Sequence, residues 1–398
     1  MHAVSRLSSL KELSMNVFDS VFDHAFETET QIEIRAITRK FARERIAPIV
    51  EHDEETKTFR KEIIWGLGEL GLCGIPTAEE NGGSGLGYQE YIGAIEEIAA
   101  VSGAYAVSVA VSGLPQVIIE QHGNAEQKRY IPKLATGEWI GSFALSEASS
   151  GSDASSLRAT AKKDGEHYVL NGTKLWITQG DVADVFIVMA RTGGDGSKGV
   201  SAFIVEKGMS GLKMGKQEKK MGMNISHTME LLFDGLRVPA KNLLGAEGDG
   251  MKVAFAALDS GRITIAATAI GIARASIEEA IKHANLREQF GKPILDFQGV
   301  GFMLADMLTS YQAAKGLVQK AAYLRDRGEP YSTQAAQAKV YATDMAMKVS
   351  TDAVQILGGS GYTQEFPVER HMREAKMLQI VEGTNQIQRL VISRAMKQ

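Results

Sequence analysis

The hydrophobic period of this 398-residue chain changes twice, and that double change restricts its fold more than any other feature. From about Glu27 to Gly137 apolar residues return at helical spacing. In "TQIEIRAITRKFARERIAPIV", Ile34, Ile37, Phe41 and Ile46 share one predicted face, and Pro48 closes the segment. "IIWGLGELGL" and "YQEYIGAIEEIAAVSGAYAVSVAVSG" continue the pattern, the second with the Gly, Ala and Ser content of a helix packed closely on its neighbours. From Gly141 to about Gly245 the period falls to two. "ATAKKDGEHYVLNGTKLWIT" predicts two strands joined at Asp164-Gly165, with Asn171-Gly172 marking a further turn. "DVFIVMART", "GVSAFIVEKG" and "TMELLFDGLRV" add strands. From about Gly250 long Ala-rich amphipathic segments return, at lengths that suit a helical bundle. The expected class is α+β: an extension at 1–26, a helical domain at 27–140, a middle β domain at 141–247 and a helical bundle at 248–398.

A chain of this length exceeds one ordinary core, in keeping with that division. A hydrophobic fraction of 44%, a charged fraction of 23%, a formal net charge of -4 and a pI near 6.1 describe a globular protein and argue against nucleic-acid or membrane-surface binding. The one cysteine, Cys73, excludes an internal disulfide framework and fits a reducing compartment. The 8 histidines are scattered without metal-ligand spacing, so no metal is expected. The longest apolar run, Ile263 to Ala273, is closed by Arg274 and is too short to span a bilayer. "MHAVSRLSSLKELS" is faintly like an organelle presequence, but Glu12 and the missing apolar core speak against one. A cytoplasmic location is expected, or the mitochondrial matrix if the source is eukaryotic.

Several short stretches could carry chemistry. Gly194, Gly196 and Gly199 in "GGDGSKG" match a dinucleotide fingerprint, yet a predicted strand stands on each side where a helix would have to follow. "NGGSGLG" reads as a loop. "QILGGSGY" lies between helical segments, where its glycines suit either a helix C-cap or the close approach of a ligand. "FALSEASSGSD" offers hydroxyls and backbone N–H groups to a polar ligand, or is a solvated linker. Trp176 in "LWIT" sits in a strand, where a lone tryptophan ordinarily belongs to the core. In "QIVEGTNQIQR", Glu382 stands between Val381 and Gly383 just before a new helix. Thr384 or Asn385 is the expected N-cap, and Ile380 and Val381 suggest that the backbone enters an apolar site.

Together "FALSE…GSD", "LNGTKLWIT", "LFDGLRVP", "LDSGR", "REQFGKP", "FMLADM", "QILGGSGY" and "VEGTNQIQR" resemble the acyl-CoA dehydrogenase family over nearly the whole chain. The resemblance implies an N-terminal helical domain, a middle β-barrel-like domain, a C-terminal four-helix bundle and a homotetramer. It implies FAD, with Phe143, Leu145, Ser146, Gly151, Ser152, Trp176 and Thr178 around the isoalloxazine, and Thr384 and Gln386 touching it from the bundle. Arg287, Phe290, Gln298, Gln355, Gly358 and Gly359 match positions that a neighbouring subunit offers to the rest of the FAD. Arg262 matches an arginine near the CoA chain, and Glu382 takes the place of the base that removes the α-proton as hydride leaves for flavin N5. The product would be the trans-2-enoyl-CoA, and the implied electron acceptor is an electron-transfer flavoprotein.

The substrate site is expected to include Ser152, Leu258, Arg262, Val381 and Gly383, with Tyr105, Ser108 and Ser112 lining the acyl pocket. Some family members carry the base on another helix, where this chain has Gly261. The family often has Glu-Pro-Gly where Glu147, Ala148 and Ser149 stand, which is expected to loosen a turn beside the flavin, and Tyr where Val381 stands. The middle domain and "GRITIA" look closest to short-chain and branched short-chain members. Two alternatives are an acyl-CoA oxidase using O2 and a nucleic-acid-binding relative with vestigial flavin activity. The second calls for a basic C-terminal surface, which the net negative charge does not suggest.

Overall fold

The structure, a computed structural model, describes residues 26–397. Nearly all of the expected N-terminal extension, with its presequence-like residues, lies outside the described residues. Among the described residues six α-helices come first: α1 (Glu29–Phe41), α2 (Val50–Thr56), α3 (Lys61–Glu69), α4 (Tyr88–Ala99), α5 (Gly103–His122) and α6 (Ile131–Ala135). Eight strands follow, β1 (Gly141–Ala144), β2 (Thr160–Asp164), β3 (His167–Thr178), β4 (Val185–Arg191), β5 (Val200–Glu206), β6 (Leu212–Gln217), β7 (Thr228–Pro239) and β8 (Leu243–Leu244). The bundle comprises α7 (Gly250–Leu286), a small hairpin of β9 (Glu288–Gln289) and β10 (Lys292–Pro293), α8 (Gln298–Asp326), α9 (Ser332–Leu357), α10 (Val368–Leu378) and α11 (Asn385–Ala395).

The Thr28 hydroxyl accepts the Gln31 N–H while Gln31 Oε1 accepts the Thr28 N–H, a capping box that starts α1. Of the expected apolar face, Phe41 and Ile46 are buried, but Ile37 is exposed and Ile34 only partly covered, and Gln31, Arg35 and Thr38 complete the buried face of α1. Charge pairing decided this. Arg35 lies 2.7 Å from Glu96 and 3.2 Å from Glu97 on α4, and Arg274 of α7 reaches the same two carboxylates at 3.3 and 2.8 Å. Burial works to raise both carboxyls, but the surrounding arginines hold them below the usual range. Removing one partner of such a cluster strands buried charge, at a cost of about 3–5 kcal/mol, so α1 turns its arginine inward.

In the β unit the strand order is β6-β7-β3-β2-β4-β5-β8, with β1 beside β4 in parallel. β6 and β8 end the order, so the sheet is not hydrogen-bonded into a closed barrel. Asn171-Gly172 is not the expected turn. β3 runs through it, and the register slips between Leu170 and Gly172 as a bulge. Gly172 has φ 142°, and a Cβ there would lie 2.7 Å from the Cα of Ala159. "GGDGSKG" is the β4–β5 loop, closed by Arg191 donating to the carbonyls of Gly194 and Gly196.

α5 and α7 are long and apolar enough to cross a membrane, a property the longest apolar run understated. Most of each helix's apolar window is buried inside the protein, at 89% for α5 and 78% for α7, so both are core helices here. α7 touches α4, α5, α8, α9, α10 and β5, which makes it the common wall of all three units.

One junction between the helical and β units is held by a charge. His227 Nδ1 sits 2.6 Å from Asp181 Oδ2, and its Nε2 lies 2.8 Å from the Lys57 carbonyl. Both neighbours can only accept, so both ring nitrogens must donate and the imidazolium is the form that fits. The Asp181 hydrogen bond accordingly raises the His227 pKa above its ordinary 6.5, against the effect of burial. A histidine raised on folding stabilises the fold fully below its unfolded value, and the gain disappears as pH climbs past 6.5 through the folded value. His227→Gln should therefore melt lower than wild type at pH 6, by about 1.5–3 kcal/mol for hydrogen bonds to a charged group. The difference should shrink as pH rises above 6.5, and calorimetry on both proteins across that range would check it.

Candidate active site

Two groups of residues build the site, one on the sheet and one at the start of α11. On the sheet, the Ser142 hydroxyl donates to the Thr178 carbonyl at 2.7 Å, and the Leu175 N–H donates to the Ser146 carbonyl at 3.0 Å. These bonds bring Phe143, Leu145 and Ser146 alongside Trp176 and Thr178. The turn after β1 is closed rather than loosened: Glu147 N–H donates to the Ser150 carbonyl and Ser150 N–H to that of Glu147. The buried Glu147 carboxylate accepts the Arg158 and Ala159 N–H groups and the Lys174 ammonium, which also donates to the Leu145 carbonyl. Burial lowers the Lys174 pKa to about 8 although Glu147 pulls it back up, while Lys174 and the two N–H groups hold Glu147 below the usual carboxylate range despite burial. The pair is charged at neutral pH. Gly151 and Ser152 are exposed just beyond.

Trp176 is not in the core. A second register slip, between Lys174 and Ile177, places it at φ 59° and turns its ring outward, 53% exposed. Left-handed backbone is costly for a bulky residue. Among the described non-glycine residues only Lys57, Trp176, Gln179, Met223, Phe290 and Glu382 have positive φ. Three of these, Trp176, Phe290 and Glu382, belong to the site implied by the sequence resemblance, so the backbone strain gathers where chemistry is expected.

The second group centres on Glu382. Its φ is 54° and that of Gly383 is 85°, so the chain makes two successive left-handed steps before α11. Thr384, not Asn385, is the N-cap: its hydroxyl accepts the Ile387 N–H at 3.4 Å. Ile380 is 55% exposed, so the carboxylate is not enclosed by the apolar residues before it. The enclosure comes from α7. A Cβ on Gly261 would lie 2.8 Å from both Cδ and Oε2 of Glu382, so the carboxylate rests on the bare backbone of that helix. Oε2 is shut off from water and has no hydrogen-bond partner. Burial lifts the Glu382 pKa from 4.5 to about 7, partly opposed by Arg262 and Lys339. Among the described residues the Glu382 N–H has no backbone acceptor.

The remaining predicted residues fall in several places. Arg262 is buried, bonded to Asp259 at 2.5 Å, and electrostatically coupled to Glu382. Leu258 packs against an apolar cluster shared with Phe143, Leu145 and Ala257, which links the two groups through α7. Gln386 is exposed on α11, and Val381 and Gly383 are half-buried. The Ser112 hydroxyl accepts the Gly141 N–H at 2.9 Å, placing it at the α5–β1 junction. Tyr105 is fully buried, with its hydroxyl at the Arg60 N–H, and Ser108 is buried without a side-chain partner. Arg287, Phe290, Gln298, Gln355, Gly358 and Gly359 are exposed on the bundle, and no hydrogen bond or ring contact joins them to the sheet group. Phe290, 94% exposed, leads the left-handed Phe290-Gly291 turn between β9 and β10. Gly358 ends α9 at φ 60°, and neither it nor Gly359 has an atom within 4 Å of its Cβ position.

Sequence reasoning missed two buried lysines, Lys174 and Lys339. A signal was present for both. Lys174 shares the period-two phase of buried Tyr168 and Leu170, and Lys339 falls in the buried stripe of Ala335, Ala342 and Ala346.

Comparison with known proteins shows the family. Models of the acyl-CoA dehydrogenase N-terminal, middle and C-terminal domains match residues 28–138, 142–236 and 248–397. The chain belongs to the acyl-CoA dehydrogenase family. It is 50% identical over 370 residues to an acyl-CoA dehydrogenase of Bacillus subtilis, covering 92% of this chain and 98% of the relative. The solved butyryl-CoA dehydrogenase of Megasphaera elsdenii superposes with TM-score 0.91 at 42% identity, covering 93% of this chain and 99% of the other. A chain solved in work on the electron transferring flavoprotein of Acidaminococcus fermentans gives TM-score 0.92 at 46% identity, covering 94% of this chain and all of the other. The protein is thus an acyl-CoA dehydrogenase, an FAD-dependent oxidoreductase. Its residues suit the flavin: an aromatic ring turned outward beside a hydroxyl-rich turn, and glycines with open space on the bundle.

Gly261 gives a direct test of how the carboxylate is seated. In Gly261→Ala the new methyl group displaces the end of a side chain rather than any backbone, so folding and FAD content should be nearly unchanged. If the Glu382 carboxylate acts at the reacting centre, the rate of flavin reduction by acyl-CoA should fall roughly 10–100-fold, because a misplacement of about 1 Å is costly there. Rapid mixing and flavin absorbance would measure both.

Proposed function

We propose that this acyl-CoA dehydrogenase acts on short- or branched-short-chain acyl-CoA, with Glu382 removing the α-proton. The observation that carries the reading is the Glu382 carboxylate, enclosed against Gly261 with Oε2 unpartnered and its pKa raised to about 7. A carboxylate whose charged form is poorly solvated is a stronger base once ionised, and a value near 7 suits proton abstraction at neutral pH. The free Glu382 N–H would polarise the thioester carbonyl as negative charge develops there. Arg262 and Lys339 keep a useful fraction of the carboxylate ionised. FAD, which Phe143, Leu145, Ser146, Gly151, Ser152, Trp176, Thr178, Thr384 and Gln386 would hold, supplies the two-electron acceptor for the hydrogen leaving the β-carbon. Leu258, Val381 and Gly383 would line the acyl chain, with Tyr105, Ser108 and Ser112 further along.

Likeness to butyryl-CoA dehydrogenase supports a short chain. The A. fermentans likeness supports an electron-transfer flavoprotein as acceptor. A homotetramer is supported by the exposed apolar residues of the bundle, Leu286, Phe290, Phe302, Tyr362 and Ile380. A reducing compartment, cytoplasm or matrix, suits a single thiol, Cys73, that is buried and donates only to the Ile64 carbonyl.

Glu382→Gln keeps the backbone N–H and the side-chain size but cannot take a proton. FAD content and melting temperature should hold while flavin reduction by butyryl-CoA falls at least ~10³-fold. In wild type the reduction rate should rise with pH through about 7 as Glu382 ionises, and stopped-flow rates at a series of pH values would check both. Near wild-type reduction by the variant would place the base elsewhere.

Anaerobic bleaching with acyl-CoAs from propionyl to octanoyl, including isobutyryl and 2-methylbutyryl, should be fastest at four to five carbons. A profile rising steadily to octanoyl would refute the short-chain reading alone.

A further inference from the structure

The turn that carries Glu382 is unfavourable in isolation, since Glu382 and Gly383 both adopt left-handed backbone and the first has a side chain to clash. Something must hold it. Two groups grip its carbonyls. Gln388 Nε2 donates to the carbonyls of Glu382 and Gly383 at 3.0 and 2.8 Å. The Lys339 ammonium, arriving from α9 with no exposed surface, donates to the Gly383 carbonyl at 2.9 Å and to Asn385 Oδ1 at 2.8 Å. Asn385 is fixed in turn by the Thr343 hydroxyl and by Asp344, which also binds Arg389.

A lysine this deeply buried loses its hydration, which lowers its pKa to about 7, and Glu382 is the largest influence pulling it back up. The charged groups around it are Glu382 on the turn, Arg262 on α7 with its partner Asp259, and Asp344 on α9 with Arg389 from α11. A neutral side chain that accepts and donates at this point could secure the same two acceptors. Lys339 brings in addition a positive charge near Glu382, whose Oε2 is shut off from water without a hydrogen-bond partner.

We propose that Lys339 is the positioning residue of the base: its ammonium fastens the left-handed Glu382–Gly383 turn to α9 and stabilises the ionised form of the Glu382 carboxylate. Its donors go to the Gly383 carbonyl and Asn385 Oδ1, and it acts through Glu382, so the proposal rests on Glu382 being the base. Fastening and charge are separable. Lys339→Met removes both, whereas Lys339→Gln keeps an N–H donor for the Gly383 carbonyl without the charge.

The test uses the full-length, FAD-loaded enzyme. pH-difference infrared spectroscopy follows the protonated carboxyl band of Glu382, assigned by its disappearance in Glu382→Gln, and stopped-flow absorbance follows flavin reduction by butyryl-CoA. In Lys339→Met the Glu382 titration should move up by about one pH unit, as expected for loss of a nearby opposite charge. The plateau rate at high pH should fall roughly 10–100-fold through misplacement of the base, with butyryl-CoA affinity unchanged. Lys339→Gln should recover much of the plateau rate but keep the shifted titration. Wild-type titration and plateau rate in Lys339→Met would overturn the proposal. So would loss of melting temperature or FAD with no titration shift, or failure of both variants to fold, since each makes Lys339 a residue of the fold only. If Glu382→Gln itself were reduced at the wild-type rate, the base assignment would fail, while the infrared titration would still report whether Lys339 governs that carboxyl.

Discussion

α7 is buried on nearly every side, and the rest of the molecule is arranged around that constraint. Thirty-seven residues long, it meets the first helical unit, the sheet and the remaining bundle. A helix so enclosed cannot rely on one apolar stripe. It is built instead from alanine, glycine, serine and threonine, which let backbones approach closely, and its buried charges must each find a partner. Gly271 shows the closeness, since a Cβ there would lie 2.4 Å from the Glu96 carbonyl. Arg274 shows the pairing, reaching Glu96 and Glu97 on α4. The same helix presents Gly261 and Arg262 to Glu382 and Leu258 to the cluster beneath the β1 turn, so one element aligns the two halves of the site.

Lys174 and Lys339 play matching parts in the two halves of the site. Each is fully buried, each donates to a backbone carbonyl of a turn bearing site residues, and each has its pKa lowered by burial. Burying an ammonium is costly unless its donors are satisfied. The return is rigidity: a turn gripped from beneath by a charge-assisted hydrogen bond has few alternative conformations. Trp176 and Glu382, the strained residues beside these lysines, are held in left-handed backbone that neither would adopt unaided. Preorganisation of this kind fixes the Glu382 carboxylate, the proposed base, and the Trp176 ring in place.

Glu382 also illustrates how little chemistry an enclosed carboxylate needs around it. Its raised proton affinity arises from the absence of partners, not from a neighbouring acid. Gly261 leaves room for the carboxylate, and any larger residue would contest that space. The glycine and the glutamate are therefore one structural unit although 121 positions apart in "GRITIA" and "VEGTNQ".

The sequence by itself determined the three-zone order and the helix and strand types, because these follow from period and turn chemistry. It narrowed the N-cap before α11 to Thr384 or Asn385, and the family resemblance of its motifs pointed to Glu382 as the candidate base. It misjudged the inner face of α1, where isoleucine spacing gave way to Arg35. It also took Asn171-Gly172 for a turn, and strand pattern alone favours the core for Trp176, which the family resemblance placed at the flavin and which a bulged strand turns outward. Tertiary structure alone decided these points, since each turns on a partner distant in sequence: Glu96 and Glu97 for Arg35, Ala159 for Gly172, Gly383 for Lys339 and Gly261 for Glu382. Local patterns report which faces are apolar. They do not report which buried charge will find its counterpart, and in this protein that pairing sets both the packing of the helices and the seat of the Glu382 carboxylate.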